Sequence, residues 1–146
     1  MESKFWFKSN QFTLQKGEED QTNPGCFGKS LAEWLAIEFS KIGYKTKIIP
    51  EDWGWCVMCE RGEFLLWIGC ASMDFDFDED SEDSPKDVNT IIWHVFTEIE
   101  IPFFMFKSHI KKLFGHLDVF TPLNKLNQEI NTVLKSNESI HFCDEP

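Results

Sequence analysis

Two thiols three residues apart are the first place where this chain could do chemistry. Cys56 and Cys59, in Trp55-Cys56-Val57-Met58-Cys59, have the local spacing of a thiol redox pair or of half a zinc site. Redox exchange needs the first thiol at a helix N-terminus, where the dipole lowers its pKa. Here the pair runs into Glu60-Arg61-Gly62 and then the apolar arm Phe64 to Cys70, which reads as strand. On extended chain, residues three apart face opposite ways with Cα atoms ~10 Å apart, beyond disulfide reach. The expectation is a pair of separated, inert thiols. A thiol redox or metal-dependent enzyme using Cys56 and Cys59 is the alternative. Structural zinc commonly takes four ligands from paired knuckles. Only one Cys-x-x-Cys is present, with Cys26, Cys70, His94 and His141 scattered elsewhere. No metal and no cofactor is therefore expected, and the cysteines read as small buried hydrophobes.

Carboxylates are the second candidate. Glu51 and Asp52 stand beside two tryptophans in Pro50-Glu51-Asp52-Trp53-Gly54-Trp55. A carboxylate pair can hydrolyse glycosides, but adjacent strand residues diverge. One reading makes Asn23, Glu51, Asp52, Trp53 and Trp55 a rim that binds a small ligand or peptide. The plainer reading packs both rings on Trp34 as core. Further along, Asp74, Asp76 and Asp78 copy the first positions of a calcium loop, yet Glu79 stands where glycine is needed and Pro85 where a bidentate glutamate belongs. Two readings of this acidic stretch stay open. It is a solvated loop, or its carboxylates imitate phosphates or steer a basic protein partner. On the second reading Asp74, Phe75, Asp76, Phe77, Asp78, Asp80 and Asp83 form the partner-binding set, the two phenylalanines supplying contact area. His94, His109, His116 and His141 are dispersed, and no nucleophile elbow, phosphate loop or His-Glu-x-x-His motif occurs.

Charge narrows the partners. The chain of 146 residues has a formal net charge of −11. Residues 72 to 88 hold eight acids and one base, so this segment supplies −7 and leaves −4 for the rest. Such a balance repels nucleic-acid phosphates, and Lys111-Lys112 is too small a basic cluster to offset it. No apolar run approaches 18 residues, so no membrane span is expected and no membrane is among the expected partners. The opening residues, MESKFWFKSNQF, lack a positive region followed by a long apolar run, so no signal peptide is expected. With an odd count of five cysteines, reduced thiols in the cytoplasm are the simplest expectation.

The elements that must position these residues follow from periodicity. Lys4 to Lys8 alternates as a first strand. Ser30 and Glu33 have the spacing of a capping box at the start of a helix. Leu31, Trp34, Leu35 and Ile42 form its stripe, and Gly43 closes it. A strand ending near Pro50 follows, then a hairpin around Arg61-Gly62. Beyond the acidic stretch, Ile91, Trp93, Val95 and Ile99 share one face of another strand, opposite Ile92, His94 and Phe96. Phe103, Phe106, Ile110, Leu113 and Phe114 recur at helical steps up to Gly115. A third helix takes Thr121 as cap with Pro122 in its first turn, and Ser139 to Cys143 is a candidate last strand. The order β-α-β-β-β-β-α-α(-β) predicts one two-layer α+β domain over 1–146, with an acidic loop at 72–88. Its sheet is mostly antiparallel, with about five strands and three helices. At 15% aromatic, its core is expected to be ring-dominated.

Two segments together, Asn23-Pro24-Gly25-Cys26-Phe27-Gly28-Lys29-Ser30-Leu31-Ala32-Glu33-Trp34-Leu35 and the Pro50 to Trp55 run, carry a family resemblance. They resemble a group of small, stand-alone bacterial proteins of unknown function, and Leu66 to Cys70 also fits that pattern. The resemblance covers residues 1 to about 135, with the acidic insert as a departure. It implies a compact bacterial single-domain protein and supplies no activity. The expectation for function is a non-catalytic cytoplasmic binding protein. Its partner is a protein with a basic surface, engaged in the manner of an acidic immunity or inhibitor protein or a nucleic-acid mimic.

Overall fold

The computed structural model describes residues 2–73 and 88–146. Six strands form one antiparallel sheet: β1 (Lys4–Lys8), β2 (Lys47–Glu51), β3 (Gly54–Arg61), β4 (Leu65–Met73), β5 (Ile92–Glu100) and β6 (His141–Cys143). Their order across the sheet is β2-β3-β4-β5-β1-β6. Three α-helices accompany it: α1 (Lys29–Ile42), α2 (Phe106–Leu113) and α3 (Phe120–Lys135). This is the expected α+β class, with one strand more than the five counted, because the C-terminal segment pairs with β1. Pro50 lies on β2, an edge strand, where a missing amide hydrogen is tolerated.

Helices α1 and α3 pack on the same face of the sheet. Between them and the sheet lies an aromatic core in which Phe5, Phe7, Phe12, Phe39 and Trp93 are all at most 2% exposed. Along β5 the alternation is as the sequence requires. Trp93, Val95 and Thr97 are buried on the helix side, while Ile92, His94 and Phe96 are half-buried on the other. Asn127 of α3 hydrogen-bonds the Thr97 hydroxyl, so this interior polar pair satisfies itself.

Helix starts differ from the sequence reading. Ser30 and Glu33 do not cap α1. Its orphan amides at Gly28 and Lys29 donate instead to the carboxylate of Glu18, at 2.9 and 3.1 Å. Ser30 Oγ accepts from Thr13 N at 3.3 Å, and Glu33 accepts from the Gln15 side chain at 3.0 Å. Helix α3 begins one residue before Thr121. Asp118 caps it, accepting from Phe120 N at 3.0 Å and Thr121 N at 3.1 Å. Hydrogen bonding from Thr121 holds that carboxyl below its ordinary pKa.

Helix α2 departs most. Its predicted apolar stripe is helical but does not join the core. Phe106 is 69% exposed and Leu113 80%, while Ser108 is the buried residue of the helix. No described helix is long and apolar enough to cross a membrane.

Candidate functional site

The two motif segments meet at one end of the sheet. Strands β2 and β3 are joined by a two-residue turn, Asp52-Trp53, closed by pairing of Glu51 with Gly54. Asn23 Nδ2 donates to the Asp52 carbonyl at 3.0 Å and fastens the Asn-Pro-Gly turn to this hairpin. Two glycines make the approach possible. Gly28 has φ +147° and Gly54 φ +152°, and a Cβ on either would sit 2.5 Å from the Cys70 carbonyl oxygen. That clash and the left-handed backbone both demand glycine. Ser72 completes the joint, its Oγ accepting from Phe27 N at 3.1 Å and donating to the Gly25 carbonyl at 3.4 Å.

Beneath this joint lies a carboxylate that pattern reading passed over. Glu18 is 2% exposed. Its Oε1 accepts from Gly28 N, Lys29 N and Trp55 Nε1, the last at 3.2 Å, and its Oε2 accepts from Gln15 N at 2.8 Å. Four donors offset the desolvation of one buried charge. Lys29 Nζ lies 5.2 Å from the centroid of the Trp55 ring and places a cation nearby. Glu18 thus joins the start of α1, the Trp55 indole and the loop before it. No local spacing marked it, because three of its four donors lie 10 to 37 positions away.

The candidate rim therefore splits. Asn23, Glu51 and Asp52 are exposed, Trp53 is half-buried, and Trp55 is buried in the core at 3% exposure. Neither Trp53 nor Trp55 forms a ring pair with Trp34. Trp34 lies against Phe12, with centroids 5.4 Å apart. Trp53 turns to the opposite face of the sheet and stacks on Trp67 at 5.8 Å and against Phe96 at 5.1 Å. Phe96 in turn covers Gly69, contacts His94 at 4.9 Å, and His94 stacks on Trp6 at 4.6 Å. A row of rings thus crosses the sheet from the β2–β3 turn to β1. The partner-binding set Asp74, Phe75, Asp76, Phe77, Asp78, Asp80 and Asp83 lies outside the described residues.

The cysteines are placed as extended chain requires. Cys56 pairs across the sheet with Ile49 and Gly69, on the face away from α1. Cys59, at a register irregularity in β3, belongs to the helix-side core. All five cysteines are free. Burial, followed by the Glu51 carboxylate, pushes the Cys56 thiol up to about 12. Burial does the same to Cys59, also to about 12, and drives Cys70 well above its ordinary value. A thiol so placed is a poor nucleophile at neutral pH. Among the described residues no group of three or more His, Cys, Asp or Glu is placed to hold a metal ion.

A cleft of about 710 Å³ opens at another place, between the end of α1, β2, β3 and α3. Lys45, Lys47, Arg61 and Lys125 line it together with Tyr44 and Glu60. The Tyr44 hydroxyl donates to Glu129 at 2.6 Å, and burial together with that carboxylate raises its pKa. No protein-family model, curated protein or solved structure matches this chain.

Proposed function

We propose that the chain is a non-catalytic binding protein of a reducing, cytoplasmic compartment. It engages a protein partner with a basic surface through the acidic segment, as an inhibitor, an immunity protein or a phosphate mimic does. The observation that carries this reading is the pairing at the base of that segment. Strands β4 and β5 stay in register up to Met73 and Ile92, so the sheet is complete on both sides of the acidic stretch. The stretch that joins the two strands holds eight carboxylates. Their density then makes sense as a recognition charge, which steers association and is weakened by salt. Five unpaired cysteines fit a reducing compartment.

The test replaces Asp76, Asp78, Asp80 and Asp83 with Asn. The partner is first recovered by co-purification from the native cell and then purified. Its affinity for wild type and variant is compared by calorimetry across a salt series. The reading expects a loss of about tenfold or more at low salt, a shallower salt dependence, and an unchanged urea midpoint. Equal affinity at every salt concentration removes the acidic segment from recognition.

A second reading rests on the Trp53 edge beside the Asn23–Asp52 bond. There a small ligand or peptide would quench tryptophan fluorescence and raise the melting temperature. Saturation without quenching, in wild type and in a Trp53→Phe control alike, dismisses it.

A further inference from the structure

Helix α2 is turned inside out relative to an ordinary surface helix. Ser108 meets the body, while Phe106, Ile110 and Leu113 are 69%, 56% and 80% exposed. At about 100° per residue, Ile110 and Leu113 lie within roughly 40° of Phe106, and Ser108 lies roughly opposite. The apolar crest therefore points straight away from the protein. Lys107 and Lys111 border it on one side and Lys112 on the other. Phe103 and Phe104 before the helix are 82% and 62% exposed, and Phe114 after it is 68% exposed.

We infer that this crest docks on an anionic lipid bilayer, with α2 lying in the plane of the membrane surface. Charge supplies the first argument. Residues 101 to 117 contain three lysines and no Asp or Glu, in a chain whose net charge is −11. Lysines at the edge of an apolar stripe carry their ammonium groups up to headgroups while their stems stay apolar. Shape supplies the second. A protein groove reads anchors from one helix face, whereas here the apolar surface spreads onto irregular chain at both ends of α2. A fluid acyl boundary accepts that outline without matching pockets. A second copy of the chain is disfavoured, because crest against crest sets lysines against lysines.

The strand end at which the acidic stretch begins is remote from α2. Lys111 pairs with Glu63, in the turn that precedes β4, so α2 sits at the Leu65 end of that strand. Met73, where β4 ends, lies eight residue steps or ~26 Å from Leu65. That no described helix can span a bilayer bears on crossing one; lying on one makes different demands.

The experiment is flotation of the full chain with vesicles of phosphatidylcholine alone and of phosphatidylcholine mixed with phosphatidylglycerol. Anionic vesicles are expected to bind at least about tenfold more protein, with the excess lost in high salt. Phe106→Ser and Leu113→Ser should each reduce that binding about tenfold while the urea midpoint stays put. Lys107→Glu with Lys112→Glu should abolish the preference for anionic lipid. Three results overturn the inference. One is no binding to anionic vesicles at low salt, which would leave a protein groove as the occupant. Another is equal binding to both vesicle types. The last is self-association in vesicle-free buffer that Leu113→Ser removes.

Discussion

Helices α1 and α2 carry large apolar residues at the same three- and four-residue steps, and they end in opposite environments. Leu31, Leu35 and Phe39 of α1 are sealed against the sheet at 0% exposure, while Phe106 and Leu113 of α2 face outward. What differs is the rest of each helix and its attachments. On its buried side α1 interposes Ala32 and Ala36, which let the backbone approach the sheet closely. It is also fixed at both ends, by the Glu18 carboxylate at its start and by Gly43 at its close, where Tyr44 N bonds the Phe39 carbonyl. Helix α2 has only Ser108 buried, and the Lys111–Glu63 pair that ties it is itself about half exposed. An apolar stripe specifies a face that must be covered; it does not specify what covers it.

The comparison breaks most easily at matched leucines. Leu35→Ala, in the sealed helix, should cost about 2–5 kcal/mol through lost burial and a residual cavity. Leu113→Ala, in the exposed one, should stay within about 0.5 kcal/mol. Urea unfolding of the two variants measures both, and comparable losses would mean that α2 is covered in solution. Next in size is the tether of α1. Glu18→Ala strands the amides of Gly28 and Lys29 together with the Trp55 indole, and should cost about 2–4 kcal/mol. A red-shifted tryptophan emission in the folded variant would accompany it, and unaltered stability would show that solvent replaces the carboxylate without loss.

The smallest expected effect sharpens the contrast on the other face of the sheet. His94 is half-buried against Trp6 and Phe96, with Lys4 and Glu145 as charged neighbours. Burial first, then Lys4, lowers its pKa in the folded protein below the ordinary 6.5. The unfolded chain therefore takes up this proton first, and stability tied to His94 is complete above that value and is lost as pH falls through and below it. His94→Gln should flatten the fall of the urea midpoint on acidification from neutral pH to about 5. A slope identical to wild type would place the acid sensitivity elsewhere.

Legibility in the sequence followed the range of the interaction. Strand alternation in β5, the stripe of α1 and the opposed facing of Cys56 and Cys59 are local consequences of backbone geometry, and they were readable residue by residue. The capping box at Ser30 and Glu33 was also a local reading, and it failed because α1 starts before Ser30, at Lys29, where the Glu18 carboxylate, ten positions before Gly28, takes the amides of Gly28 and Lys29. Trp53 and Trp55 looked equivalent in the string. The two-residue turn between β2 and β3 sends one to the ring row and the other to the core.

By itself, then, the sequence determined the α+β class, the antiparallel order of its hairpins, the opposed facing of its Cys-x-x-Cys thiols and the concentration of its charge in one segment. Each of these depends on periodicity or composition over a few residues. Only the tertiary structure decided that Glu18 closes the joint between the Asn-Pro-Gly turn and the Asp-Trp-Gly hairpin, and that α2 presents its apolar face to the outside. Those outcomes depend on which donors and which surfaces meet across tens of residues, and spacing along the chain carries no record of that.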